Sequence, residues 1–147
     1  MSYPSKSEAY WLCITNDENW AVIKKKRIWG VPCNQNQSLA QVSKGDKLVF
    51  YIKPRRIGGI YEAAGDVFES EDRIFNSAGF EASEKFRMRI RLKPIVVLKN
   101  PITFVPLVKK MSFMHNKTYW GCYLFGKAMR RIDIEDFRTI EVALTQE

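Results

Sequence analysis

From residue 86 to residue 93 the chain alternates without a break, Phe86, Met88, Ile90 and Leu92 interleaved with Arg87, Arg89, Arg91 and Lys93. A period of two belongs to a strand, whose successive side chains point to opposite faces; wound as a helix, the same residues would have no apolar side. The segment calls for a sheet with one face on a core and a row of cations on the other. The strand is expected to continue past Pro94 to residue 98, the proline marking a bend or an edge position. A chain of 147 residues has room for one such core, since domains run to ~100–200 residues, so residues 1–147 are expected to form a single domain.

The remaining segments supply what packs on that strand. Residues 10–15 (YWLCIT) read as a buried strand, and Asn16 can cap a helix over residues 17–27. Asp17 and Glu18 suit its positive end, Lys24, Lys25, Lys26 and Arg27 its negative end. Residues 28–32 (IWGVP) leave the helix as an extended turn, and a short helix is expected around residues 39–42. Residues 47–53 read as a strand and residues 57–68 as another, with Gly58 and Gly59 marking a bulge. Residues 69–84 read as an acidic loop or broken helix, 101–111 as a loop with a helical turn, 119–125 (YWGCYLF) as a strand, and 133–144 as an amphipathic helix capped by Asp133. The fold class that follows is α+β: a small curved mixed sheet or partly closed barrel with helices packed on it.

Composition narrows the function classes. With 46% hydrophobic and 27% charged residues the chain should fold rather than serve as a disordered tail. No stretch reaches the roughly 18 to 20 apolar residues that cross a bilayer, and residues 1–6 lack the apolar core of a signal peptide, so no membrane partner and a cytoplasmic location are expected. Cys13, Cys33 and Cys122 are odd in number with no close pair, which supports neither a disulfide framework nor a Cys-x-x-Cys site. His115 is the sole histidine, in a polar stretch with no carboxylate near in sequence, and reads as a surface imidazole. Neither paired carboxylates nor a glycine-rich phosphate loop with Lys-Ser/Thr is visible. No metal, no cofactor and no enzymatic activity are expected.

The net charge of +8 is unevenly placed: +6 over residues 1–60, −6 over 61–84 and +8 over 85–147. Such a polarised chain can attract polyanions, because phosphates gain from neutralisation and counterion release, although solubility alone would also account for a basic balance. Arg55 and Arg56 beside Lys53, the row Arg87, Arg89, Arg91, and the cluster Lys127, Arg130, Arg131 are the candidate phosphate contacts, with a solvated strand face as the alternative for the row. Of the tryptophans, Trp11 in a strand and Trp20 on a helix face read as core. Trp29 differs, standing between a helix end and Gly30, where an indole can be offered as a ligand wall while glycine keeps the backbone open. Asn16 and Asn19 carry amides that both donate and accept, as reading a base edge requires, with helix capping the plainer role for Asn16.

The string YWLCITNDENW (residues 10–20), followed in order by IWGVP, KGDKLVFYI, GGIYEAAG and WGCYLFGKAMRRI, resembles the EVE domain family over nearly the whole chain. That family belongs to the PUA-like superfamily of pseudobarrel domains, which includes the YTH readers of methylated adenine in RNA. The resemblance implies a PUA-like pseudobarrel and the binding of a modified base in DNA or RNA. YTH domains hold the flipped base in an aromatic cage with one tryptophan wall just after the first helix, a position that Trp29 matches. Ten residues before it stands a polar side chain that bonds a ring nitrogen, here Asn19, and the residue after the wall offers a carbonyl, here Gly30. The second wall comes from the loop after the third strand, where this chain has Phe75 and Phe80. Two other readings stay open: an enzyme acting on nucleic acid or a modified base, of the kind the likeness to ASCH relatives suggests, working through Lys127, Asp66 or Glu62, and a small-molecule module.

Overall fold

The structure, a computed structural model, describes residues 8–76 and 84–146. Phe80, one of the two candidates for a second aromatic wall, lies outside the described residues. Seven strands form one sheet in the order β2-β6-β4-β3-β1-β7, with β5 paired to β6. The strands are β1 (Tyr10–Thr15), β2 (Ile28–Val31), β3 (Lys47–Ile52), β4 (Arg56–Ala63), β5 (Phe68–Glu69), β6 (Met88–Thr103) and β7 (Met129–Ile132). Among these pairs β1 and β3 run parallel and all others antiparallel. The helices are α1 (Asp17–Lys26), α2 (Asn36–Ala40) and α3 (Ile134–Thr145). A mixed sheet with helices laid on it is the expected α+β class.

Both faces of the central strands are covered. Trp11 and Cys13 of β1 with Leu48, Phe50 and Ile52 of β3 enter one core, which also holds Trp20, Trp29 and Tyr61. Leu12, Ile14, Val49 and Tyr51 enter a second core with Phe104, Met111, Phe137 and Ile140. This is why residues 10–15 and 47–52 read as near-continuous apolar runs rather than alternations. At the expected bulge, the register of β4 against β3 shifts at Gly58. A β-carbon on Gly58 would stand 2.6 Å from the Trp20 ring, and one on Gly59 2.5 Å from the Val96 carbonyl oxygen, so both glycines permit close packing on β4.

Several elements differ from expectation for identifiable reasons. Residues 28–31, read as a turn, form strand β2 because Trp29 pairs with Ile90 and Gly30 with Arg89. The run 57–68 breaks at a turn near Gly65 into β4 and β5. Residues 119–125 form no strand: Trp120–Tyr123 is a 3-10 turn, and the sheet position goes to Met129–Ile132, beside β1. Tyr119 and Phe125 raised the strand propensity of that run, yet they are 73% and 87% exposed and pack on nothing that would favour a ladder. Among the described residues no helix is long and apolar enough to cross a membrane.

Candidate functional site

The end of α1 decides where Trp29 stands. Arg27 adopts φ 55 and donates its N–H to the Ile23 carbonyl at 2.8 Å, while its own carbonyl accepts from Leu92 at 2.8 Å. That left-handed cap reverses the chain at once and sends residue 28 onto the edge of β6. Strand alternation then drives the Trp29 ring inward. It is 3% exposed, edge-to-face with Phe50 at 5.4 Å, and among the described residues its indole N–H has no hydrogen-bond partner. The expectation of an indole left open at a turn is corrected: the ring belongs to the first core and meets solvent only through a hollow beside it.

That hollow holds only about 40 Å³ of water-accessible space, room for a few waters, so a base enters it only if the residues over it move. Its walls come from five places in the chain: Thr15, Asn16 and Asn19 at the β1–α1 junction, Trp29 and Gly30 on β2, Lys53 after β3, Phe75 and Phe86 from the segment before β6, and Lys127 before β7. Asn16 Oδ1 accepts from the Asn19 N–H at 2.8 Å, the helix cap expected of it, and Asn16 borders the hollow as well. Lys127 is held at the rim by Gln35, whose amide donates to the Gly126 carbonyl at 2.9 Å and accepts from the Ala128 N–H at 2.6 Å.

The Asn19 side chain, 7% exposed, is already engaged on both sides. Its Nδ2 donates to the Asn76 carbonyl at 3.1 Å and its Oδ1 accepts from the Asn76 N–H at 2.6 Å. Residue 76 thus presents to Asn19 the adjacent donor and acceptor that the edge of a heterocycle would present. Phe75 is buried with it, edge-to-face with Phe86 at 5.7 Å, and lies so close over Gly30 that a β-carbon there would come within 2.8 Å of its ring. Phe75 therefore covers Gly30 and closes one end of the hollow.

The cation row is not uniform. Arg89 is 2% exposed, and its guanidinium donates to the carbonyls of Phe86 at 2.9 Å, Lys85 at 3.1 Å and Asp72. Burial lowers its pKa from the usual arginine value, with Asp72 and Glu71 opposing the shift. Arg87 pairs with Glu71 at 2.8 Å, and Arg91 stacks its guanidinium 4.8 Å from the Phe68 ring. Arg56 forms a two-pronged pair with Asp17 at 2.9 Å, and its guanidinium holds the Asp17 carboxyl below its usual range. Arg130 lies 4.0 Å over Phe113 with its Nε buried and unpartnered. For Arg87 and Arg89 the reason is that Glu71 and Asp72 of the acidic segment lie against the strand. Arg55, Lys53 and Lys127 are exposed, and among the described residues no carboxylate pairs with any of them.

Of the three groups considered for catalysis only Lys127 borders the hollow; Glu62 is paired with Lys47 at 2.9 Å, and Asp66 stands elsewhere on the surface. Burial pushes the Cys13 thiol well up, and among the described residues no three His, Cys, Asp or Glu side chains gather as metal ligands. Sequence reasoning missed Thr15, whose buried hydroxyl has no partner, and Phe86. The signal for Thr15 was a lone polar residue closing an apolar strand. Phe86 belongs by pattern to the strand but turns out of it at φ 53.

A family model described as the EVE domain matches residues 9–143. A UPF0310 protein of Pyrococcus abyssi is 39% identical over 145 residues, covering 92% of this chain and 99% of its own. A UPF0310 protein of Pyrococcus horikoshii is likewise 39% identical over 145 residues, covering 92% of this chain and 98% of its own. Among solved structures, the YTH domain of Zygosaccharomyces rouxii MRB1, in complex with N6-methyladenosine RNA, superposes with a TM-score of 0.65 at 14% identity, covering 98% of this chain and 90% of that one. A protein from Rhodopseudomonas palustris superposes with a TM-score of 0.64 at 17% identity, covering 94% of each chain. At such identities the likeness carries the fold alone, an α+β curled mixed sheet with helices packed on it.

Proposed function

The chain belongs to the EVE domain family, and from that membership and the hollow beside Trp29 we propose that it binds nucleic acid and reads a modified base extruded into that hollow. The observation that carries the reading is convergence: Trp29, Asn19 and Gly30, from a helix and a strand, meet at one cavity rimmed by Lys53 and Lys127. In this reading the base lies along the indole, the Asn19 amide takes its edge, and Gly30 lets the backbone approach. Entry requires residues 75–76 to move aside, and the incoming edge replaces the hydrogen bonds that Asn76 now makes. That YTH domains of the same fold are seen with N6-methyladenosine RNA favours RNA as the carrier. A binding role, rather than turnover, fits a hollow with no carboxylate among its lining residues.

Stacking one base on an aromatic ring is worth ~1–3 kcal/mol, while extracting a paired base costs a few, so the hollow favours unpaired strands. A seated methyl adds roughly 0.8 kcal/mol, whereas a mismatch at the base edge costs more. Discrimination is therefore expected to be sharper for the base than for the mark, at affinities on the micromolar scale, about −8 kcal/mol. The test is a titration with short RNA and DNA strands carrying methylated adenine, methylated cytosine or thio-pyrimidine, read by tryptophan fluorescence. Gly30→Ala, which sets a methyl 2.8 Å from the Phe75 ring where the backbone would meet the base, should abolish discrimination between modified and plain strands. Equal discrimination by Gly30→Ala and the unaltered protein would place recognition elsewhere.

A further inference from the structure

Lys53 borders two hollows, the one beside Trp29 and a more open trough of about 370 Å³ lined also by Tyr51, Arg55, Thr118 and Trp120. We infer that this trough takes a base neighbouring the one in the Trp29 hollow, so that the protein grips a single strand of nucleic acid at two bases with Lys53 between them. The inference rests on reading the Trp29 hollow as a base site.

Trp120 is the platform. It is only partly buried, and the buried side of its ring is fixed by Phe104 at 5.6 Å and by Tyr51, edge-on, at 6.4 Å. Tyr51 in turn accepts the Arg55 N–H on its hydroxyl at 3.0 Å, which ties the Lys53–Arg55 turn to the aromatic floor. A partly exposed ring braced by two aromatic neighbours stacks a base with little loss of side-chain freedom. None of the cations around it pairs with a carboxylate among the described residues: Arg55 at the trough, Lys53 between the two hollows, Lys127 at the rim of the first. Aromatic platforms interleaved with unpaired cations are how proteins hold unpaired strands, the rings taking bases and the cations taking the phosphates that join them. Bases seated in two separate hollows are not stacked on each other, an arrangement that an unpaired strand adopts and a duplex does not.

The probes are mononucleotides and hexanucleotides, RNA and DNA, carrying one N6-methyladenosine or one 5-methylcytosine, titrated against the whole chain. The hexamer should bind at least 10-fold more tightly than the matching mononucleotide. Trp120→Ala should weaken the hexamer about 5- to 100-fold, the factor that ~1–3 kcal/mol of stacking represents, and leave the mononucleotide within twofold. Trp120→Phe, which keeps a ring on Phe104 and Tyr51, should recover most of the loss. Lys53→Gln with Arg55→Gln should reduce the slope of log affinity against log salt by about 1.4, roughly 0.7 for each lost phosphate contact on a single strand. If the Trp120 and Lys53/Arg55 variants bind the hexamer as the unaltered protein does, while Gly30→Ala loses both probes, the second base site is wrong and the first stands. If Trp120→Ala loses the mononucleotide equally, the two-site assignment is also wrong. Failure of every probe on the unaltered protein sinks the base-site reading itself, and this inference with it.

Discussion

Arg89→Met separates a cation that holds the fold from one that holds a ligand. Methionine keeps much of the apolar stem and deletes a guanidinium that bonds the carbonyls of Asp72, Lys85 and Phe86. Hydrogen bonds to a charged group contribute about 1.5–3 kcal/mol each, so three amount to roughly 4–9 kcal/mol gross. Against that stands relief from burying an arginine whose side chain has no carboxylate partner among the described residues, a penalty of several kcal/mol. Asp72 is exposed and Lys85 only half-buried, so their carbonyls can turn to water, whereas Phe86 is buried. The expected net loss is about 2–4 kcal/mol, or about 6–12 °C in melting temperature at roughly 3 °C per kcal/mol for a chain of this size. Thermal unfolding followed by circular dichroism measures it, with Arg91→Met on the exposed side of the same strand as the control, expected within 1–2 °C. An unchanged melting temperature for Arg89→Met, together with a weaker salt dependence of nucleic-acid binding, would show that Arg89 contacts phosphate after all and that the buried-staple reasoning is wrong.

Gly58→Ala sets a β-carbon 2.6 Å from the buried Trp20 ring and 2.5 Å from Ile52 Cδ1; the isoleucine end can swing but the ring cannot, and urea denaturation should show a loss of about 1–3 kcal/mol. The cysteines should divide in a thiol-reagent assay, exposed Cys33 and Cys122 reacting promptly and buried Cys13, its pKa pushed up by burial, reacting only on unfolding. Asp17→Asn should cost less than about 1 kcal/mol near neutral pH, since the Arg56 pair lies at the surface. Because Arg56 lowers the folded-state pKa of Asp17, that contribution is whole above the unfolded carboxyl range near ~4 and is lost as pH falls through the lower folded value. Stability curves of Asp17→Asn and the unaltered protein should therefore converge as pH falls through the lowered Asp17 value, and a constant gap across the titration would refute the pairing.

The arrangement of Asn19 and Asn76 bears on how such a pocket stays intact when empty. A buried amide without partners is costly, and here the backbone of residue 76 satisfies it with one donor and one acceptor. A ligand edge that offers the same pair exchanges bonds rather than adding them, which keeps affinity moderate and makes the fit of the edge decide between ligands.

What the amino-acid sequence determined by itself is whatever a local rule controls. The period of two in residues 86–93 required a strand, Asn16 ahead of Asp17 and Glu18 required a capped helix, and the paired glycines marked the bulge against Trp20. The ordered motifs from YWLCITNDENW to WGCYLFGKAMRRI carried the family, and with it the convergence of Trp29, Asn19 and Gly30 on one hollow. Local rules could not say which cations are free. Arg89 and Arg91 each sit between two apolar residues of one alternating run, yet one is buried against the carbonyl of Asp72 and the other lies over Phe68, because the surroundings of a charge depend on which distant segment packs across the strand. Nor could they show that residues 28–31 join the sheet edge and draw the Trp29 ring into the core, or that Lys53 stands between two hollows. Pairing, burial and desolvation are properties of residues far apart in the chain, and only the folded structure brings those residues together.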